Sequence, residues 1–286
     1  MNGREMPTLA ERIDHVSFEG SNLEALPYDD IREALAAHTF VRVRGLFDRE
    51  EIRRTVAGLV DRFRITDDRR HDPRDTDAVR RNFQKLQIGA NSGVNSRRSL
   101  GRFMRVLYNP IFQDDVLGMR AHFVKLARFR NLLYKQPIGF AVHGTDDGYW
   151  TCSRILQYPS GGGFIAAHRD MYSQLATAEA GLGYFQPMLL LTEKGVDFHE
   201  GGAYVDIGED RVLYEDVCQS GDVVVYDGRS MHGVSDVDPL QPLDLTRLNG
   251  RLVALATIFK QLAAGSDDYE QMSKRANTLY KEDLRT

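Results

Sequence analysis

The stretch RILQYPSGGGFIAAHRD, residues 154–170, decides how this chain folds. Two short apolar runs, RILQYP and FIAAH, are separated by a serine and three glycines, a pattern typical of two strands joined by a turn. The second run is followed by His168 and Asp170. Because residues i and i+2 of a strand point to the same face, the pattern predicts that these two side chains project together.

Six further runs of the same kind follow, separated by Gly, Asp, Pro and Ser turns: QPMLLLT, GAYVDI, RVLYE, DVVVYDG, HGVSDV and RLVALATIF. Eight short strands within about 110 residues predict an antiparallel sandwich or jelly roll.

The chain before residue 150 has a different pattern. Residues 28–65 predict a helix, a strand and a second helix, which Asp48 caps with Glu51 in a capping box. Apolar residues every three or four positions predict a long helix over 112–136. We therefore expect one α+β domain over 1–286: a mainly helical part at 1–149 with a mobile loop at 66–105, a β core at 150–260, and a closing helix at 261–286.

Composition narrows the class of protein. The chain has 286 residues, a net charge of −4 and no apolar run of the ~20 residues that would cross a bilayer. Its N-terminus has no apolar signal core, and its two cysteines, Cys152 and Cys218, make neither a disulfide framework nor a CxxC metal site. These features indicate a cytoplasmic protein that is poorly suited to bind nucleic acid or membranes.

Three residues of the β half could form one metal site. Two histidines and one carboxylate make the facial triad of non-haem Fe(II) proteins, which leaves coordination positions open. His232 follows the apolar run DVVVYDG, and strand winding would bring it to His168 and Asp170. Arg251 begins the apolar run RLVALATIF, so its buried charge needs a partner, either a bound carboxylate or an interior one such as Asp222.

The motifs YPSGGGFIAAHRD, FHEGGAYV, GDVVVYDGRSMHGVSDV and NGRLVALATIF together resemble the Fe(II)/2-oxoglutarate-dependent dioxygenases. The resemblance implies a double-stranded β-helix (jelly-roll or cupin-like) core, buttressed by N-terminal helices and a C-terminal helix. It also implies an enzyme that uses Fe(II), 2-oxoglutarate and O2, with His168, Asp170 and His232 as iron ligands. Arg251 would anchor 2-oxoglutarate, with Tyr158 donating to the same carboxylate. Arg247 is a less favoured anchor, since an insert precedes Arg251.

The substrate is less constrained. The segment from Ala78 to Arg105 contains seven basic residues and no acidic ones. It is either a solvated face or a lid that closes over an anionic substrate, with Arg97 and Arg98 contacting that substrate. Arg169 and His199 are further candidate substrate contacts, although His199 also suits a plain turn. We expect a small-molecule substrate, an amino acid or a secondary-metabolite intermediate. The alternatives are a protein- or nucleic-acid-modifying dioxygenase and a cupin-like metal-binding module without redox turnover.

Overall fold

The computed structural model of the chain describes residues 9–64, 82–88, 101–144, 148–170 and 181–261. The helices in these ranges are α1 (Leu9–Asp14), α2 (Tyr28–His38), α3 (Arg49–Arg62) and α4 (Arg120–Leu133). The first five strands are β1 (Ser17–Glu19), β2 (Phe40–Arg44), β3 (Phe83–Gln87), β4 (Gly101–Arg102) and β5 (Met104–Tyr108). The remaining eight are β6 (Tyr149–Tyr158), β7 (Gly163–His168), β8 (Phe185–Leu190), β9 (Gly202–Ile207), β10 (Asp210–Val212), β11 (Val223–Asp227), β12 (His232–Val237) and β13 (Arg251–Lys260).

The strands form two sheets, of order β1-β2-β11-β8-β13-β6-β5-β3 and β10-β9-β12-β7-β4. From β6 onward the chain winds between them: β6, β8, β11 and β13 lie in the larger sheet, and β7, β9, β10 and β12 in the smaller. Neighbouring strands within this winding are antiparallel. The core is a double-stranded β-helix. The fold class and the eight strands predicted from residue 150 onward are thereby confirmed.

The larger sheet is covered on both faces, which explains its apolar central strands. Every residue of β11 except Asp227 is buried, as are the first eight residues of β13. One face of this sheet looks onto the smaller sheet, and helices α2 and α4 pack against the other. Strands buried on both faces read as continuous apolar runs, as DVVVYDG and RLVALATIF do.

The helix–strand–helix prediction for residues 28–65 is confirmed by α2, β2 and α3. Asp48 caps α3, with its Oδ1 accepting a hydrogen bond of 2.7 Å from the backbone N–H of Glu51. The helix predicted over 112–136 is shorter than expected and begins only at Arg120. Gly118 has a positive φ of 69°, which interrupts helical geometry, and Asp115 accepts from the N–H of Met119 just before the helix.

The loop prediction for 66–105 is wrong for the parts of that range that the structure describes. Phe83–Gln87 pairs with Met104–Tyr108 in the larger sheet, and Gly101–Arg102 pairs with β7. Three of the five residues of FQKLQ are polar, which suits an edge strand but resembles a loop by composition. The rest of the predicted loop and the predicted C-terminal helix lie outside the described residues. None of the described helices is both long and apolar enough to cross a membrane.

Candidate metal centre

Strand pairing brings His168 and His232 together. His168 is the last residue of β7 and His232 the first of β12, and the two are direct partners in the antiparallel register. Their ring centroids lie 4.3 Å apart. Asp170 is held beside them because its backbone N–H donates to the carbonyl of Gly228, at 2.7 Å, in the turn before β12.

The three side chains present one ligand atom each to a common point. Nε2 of His232 lies 3.4 Å from Oδ2 of Asp170, and Nε2 of His168 lies 3.6 Å from Oδ1. The chosen ligand atoms all lie within 4.8 Å of one another. Cis ligands in an octahedral site, with bonds of about 2.1 Å, are about 3 Å apart. The geometry therefore suits a facial triad, and the predicted residues are the ones brought together.

Backbone carbonyls fix the tautomer of both histidines. Nδ1 of His168 lies 2.8 Å from the carbonyl of Ala166, and Nδ1 of His232 lies 2.9 Å from the carbonyl of Ser230. Because a carbonyl only accepts, each Nδ1 carries the proton and each Nε2 keeps its lone pair for a metal.

Electrostatics keep Asp170 ionised. Burial acts to raise its pKa, but the imidazoles of His232 and His168 outweigh burial and hold the pKa well below its usual range. Burial acts to lower the pKa of His168, but the carboxylate of Asp170 outweighs burial and raises it, so any proton on Nε2 would be displaced when a metal binds there. The centre thus offers one carboxylate and two imidazoles, the donor set preferred by divalent iron among first-row metals with open sites.

The triad opens into a cavity of about 190 Å³ between the two sheets. Its walls include inward-facing residues at alternate positions of β6, namely Arg154, Leu156 and Tyr158. Tyr226 of β11 also lines it and packs its ring 4.5 Å from that of His232. Such a cavity can enclose a small ligand next to the metal ligands.

Arg251 faces this cavity and is already paired within the protein. It is 2% exposed, and its Nε donates to both carboxylate oxygens of Glu215, at 2.7 and 2.9 Å. The interior partner is Glu215, in the turn between β10 and β11, and not Asp222. Nη2 of Arg251 is buried and has no hydrogen-bond partner among the described residues. That unused donor fits an acceptor that enters the cavity, such as a ligand carboxylate.

The remaining candidates from the sequence take different places. Tyr158 lines the cavity, with its ring 5.2 Å from the Arg251 guanidinium, and burial raises its pKa to about 12. Arg247 is exposed, which leaves Arg251 as the inward-facing arginine of that segment. Arg169 and His199 are absent from the cavity wall among the residues that the structure describes. His199 is exposed in a turn, where its N–H donates to Asp238.

Arg97 and Arg98 lie outside the described residues. Two residues of the site are not candidates from the sequence: Arg154, which lines the cavity, and Glu215, which pairs with Arg251. Lys85, one of the seven basic residues between Ala78 and Arg105, also lines the cavity. Arg154 and Lys85 lie on β6 and β3, but neither strand alternates polar and apolar residues in a way that marks these positions.

No protein-family model and no curated protein matches this sequence. Several solved structures are similar to the chain. A 2OG-Fe(II) oxygenase family oxidoreductase from Burkholderia pseudomallei is 13% identical, with 88% of this chain and 99% of that chain aligned and a TM-score of 0.48. A Pseudomonas putida prolyl-4-hydroxylase is 14% identical, with 82% and 100% aligned and a TM-score of 0.48. EctD from S. alaskensis, solved with 2-oxoglutarate and 5-hydroxyectoine, is 15% identical, with 82% and 76% aligned and a TM-score of 0.44.

These proteins belong to the superfamily that the sequence motifs resemble. At such identities the likeness concerns the fold, and the double-stranded β-helix assignment depends on the strand order of this chain. The metal centre likewise depends on the positions of its own three side chains.

Proposed function

We propose that this protein is an oxygenase that uses Fe(II), 2-oxoglutarate and O2 to oxidise a small molecule. One observation carries the proposal: a His-Asp-His triad and a buried arginine with an unused Nη2 line the same cavity. The triad suits Fe(II) with open positions, and the guanidinium suits the distal carboxylate of a 2-oxo acid. A ligand that binds the metal at one end and the guanidinium at the other would need a 2-oxo acid group and a distal carboxylate, which favours 2-oxoglutarate as the co-substrate.

The chain's residues have distinct tasks in this proposal. His168, Asp170 and His232 hold the metal through Nε2 and carboxylate oxygens, with the tautomers set by Ala166 and Ser230. Arg251 binds the distal carboxylate, and Tyr158 packs against its guanidinium. The cavity walls exclude water from the site of oxidation. When bound, Fe(II) and 2-oxoglutarate together supply O2 activation, with succinate and CO2 formed as a C–H bond of the substrate is oxidised.

A small-molecule substrate is favoured over a macromolecule because the triad lies inside the cavity between the sheets. Of the triad, His232 is 6% exposed, and His168 and Asp170 are partly buried. An amino acid or a secondary-metabolite intermediate fits such a space. Hydroxylation is the default outcome of C–H oxidation. We also propose that the whole chain forms a single oxygenase domain.

Anaerobic titration tests the class of protein. Adding Fe(II) and then 2-oxoglutarate to the full chain should give a weak visible charge-transfer band, and the band should be lost in His232→Ala. A cupin-like binding module without redox turnover would give no band with wild-type protein, which would contradict the proposal.

The role of Arg251 is tested with Arg251→Lys. Lysine keeps a positive charge against Glu215, so the fold and iron binding should persist, but it lacks the two-pronged guanidinium. We expect the Kd for 2-oxoglutarate, read from the same band, to rise roughly tenfold or more, as for loss of a charge-assisted hydrogen bond. Arg247→Lys, which changes an exposed arginine nearby, is the matched control and should leave this Kd unchanged. Loss of iron with retained 2-oxoglutarate affinity in Arg251→Lys would contradict the assigned role.

A further inference from the structure

Two cations of the cavity wall have no role in holding the metal or the co-substrate. Lys85, on β3, and Arg154, on β6, both line the cavity that contains the triad. Both are partly buried. A cation inside a protein cavity is costly unless an anion or several acceptors surround it, so their presence needs an explanation.

Lys85 has no carboxylate partner among the described residues, and burial lowers its pKa. A lysine at the surface would keep its charge solvated, whereas this one faces a cavity wall built from Val106 and Leu156. Its ammonium is therefore placed to receive an anionic group from a ligand.

Arg154 is anchored by uncharged groups. Its Nη1 donates to the carbonyl of Cys152, at 3.2 Å, and to Oγ1 of Thr257, at 3.1 Å. These bonds fix the side chain but do not neutralise it. Burial acts to lower the pKa of Arg154, but its interactions with Cys152, Tyr108 and Asp170 outweigh burial and raise the pKa above its usual value. Among the described residues, no carboxylate forms an ion pair with Arg154, whose hydrogen bonds go to uncharged groups.

Strand register places Lys85 and Arg154 somewhat nearer to each other than either is to Arg251. Lys85 is level with Leu156 across β5, and Arg154 lies two residues from Leu156 on β6. With strands about 4.8 Å apart and residues about 3.3 Å apart, the two Cα atoms are about 12 Å apart, within joint reach of two long side chains. Arg251 is paired with Tyr158, and Arg154 is paired with Leu255, four residues further along β13. The Cα atoms of the two arginines are therefore about 14 Å apart, across four residues and one strand spacing.

The balance of charges in the cavity also favours an anionic substrate. Glu215 offsets Arg251. Ferrous iron, Asp170 and the dianionic co-substrate would sum to one negative charge, against which Lys85 and Arg154 bring two positive ones. A substrate with one anionic group would leave the cavity balanced, and a neutral or cationic substrate would not.

We propose that Lys85 and Arg154 form an anion-binding subsite that holds a carboxylate or phosphate group of the substrate. This inference rests on the proposed function and adds the substrate class to it. Arg154 lies four residues along the strands from Arg251, and Lys85 lies three strands away from β13, so the subsite is offset from the co-substrate anchor. The substrate would thus be tethered by its anion while another part of it reaches the metal.

The test uses full-length protein loaded with Zn(II), which prevents turnover, and saturated with 2-oxoglutarate. Binding is measured by calorimetry for matched pairs: L-amino acids whose α-amino group is acetylated against their neutral amides, and sugar phosphates against the free sugars. At least one anionic member should bind, and its neutral counterpart should bind roughly tenfold or more weakly. The carboxylate arm and the phosphate arm show which anion the subsite takes.

Variants then assign the effect to the two side chains. Lys85→Gln and Arg154→Gln should each weaken binding of the anionic compound roughly tenfold or more, and Lys85→Arg should restore most of it. Zinc content and 2-oxoglutarate affinity should stay within about twofold of wild type, because among the described residues no hydrogen bond or ion pair joins either side chain to the metal ligands or to Arg251. Lys260→Gln and Arg54→Gln, at exposed positions, are the matched controls.

The outcomes separate the two proposals. If the zinc-loaded wild-type protein fails to bind 2-oxoglutarate, the proposed function is wrong, and the subsite proposal is wrong as well. If it binds 2-oxoglutarate but no anionic compound is preferred, the subsite alone is overturned. Loss of 2-oxoglutarate affinity in Lys85→Gln or Arg154→Gln would also overturn it, since these residues would then serve the co-substrate.

Discussion

At the scale of single residues, Glu215 is the least expected member of the centre. Its Oε2 accepts from the N–H of Ala203, at 2.8 Å, and both oxygens accept from Nε of Arg251. It therefore ties β9 to β13 and holds the guanidinium through Nε, while Nη2 is buried and has no hydrogen-bond partner among the described residues. Removing one partner of a buried ion pair is costly because the other charge is left uncompensated.

Glu215→Gln should separate stability from ligand affinity. We expect the free energy of unfolding in urea to fall by about 3 kcal/mol, because the charge of Arg251 loses its buried counter-ion. Affinity for 2-oxoglutarate should rise, because no carboxylate competes for the guanidinium. The matched control is Glu193→Gln, which breaks a pair with the more exposed Arg49 and should cost about 1 kcal/mol or less. Weaker 2-oxoglutarate binding in Glu215→Gln would show that the glutamate, not Arg251 alone, builds the anchor.

The metal ligands could be predicted from sequence and Glu215 could not, for a physical reason. His168 and Asp170 share a strand end, and the order of the later strands limits where His232 can lie. Glu215 instead sits in a short 3-10 turn, Tyr214–Asp216, whose position against β13 depends on how the two sheets close. Long-range pairing of that kind leaves no local pattern.

At the scale of elements, the turn between β6 and β7 sets the position of His168. The N–H of Gly163 donates to the carbonyl of Pro159, at 2.9 Å, so β7 starts beside the end of β6. Gly161 in this turn has a φ of 97°, which L side chains rarely adopt. A Cβ there would lie 2.6 Å from Cα of Leu243, a backbone atom that cannot move aside easily.

Gly161→Ala should therefore be more damaging than an alanine at an open glycine. We expect about 3 kcal/mol or more of destabilisation in urea, from backbone strain together with the contact at Leu243. Gly208→Ala is the matched control: its φ is also positive, at 63°, but nothing lies within 4 Å of the added Cβ. It should cost only about 1–2 kcal/mol. Equal losses in the two variants would mean that the Leu243 contact adds nothing.

The same scale shows which elements sequence patterns reveal. The strands of the β-helix can be predicted from sequence because each strand has one or two apolar faces and because glycine turns separate the strands. β3 was not found because its five residues, FQKLQ, are all only partly buried and carry the cation that faces the cavity. The polar composition of this edge strand therefore makes it resemble a loop.

At the scale of the whole molecule, the candidate site joins parts of the chain that are far apart in sequence. The two histidines of the triad lie on strands of the smaller sheet and Asp170 directly follows one of them, whereas Arg251 and Arg154 lie on the larger sheet. Lys85 lies on β3 at one edge of the larger sheet, outside the β-helix winding. The N-terminal half therefore supplies a wall of the cavity as well as the helices that cover the core.

A site assembled in this way forms only in the folded chain, so its ligands should stabilise folding as a whole. With Mn(II) as a stable substitute for Fe(II), at a free concentration one hundred times its Kd, the free energy of unfolding should rise by about 2.7 kcal/mol. Asp170→Ala removes the carboxylate ligand and should abolish this gain at the same Mn(II) concentration. Asp244→Ala, which removes an exposed carboxylate that only caps Thr246, should keep it. Urea unfolding with and without Mn(II) gives all the values needed. A gain in Asp170→Ala equal to that of wild type would place the metal elsewhere on the molecule, because a site that lacks its single carboxylate would not retain full affinity.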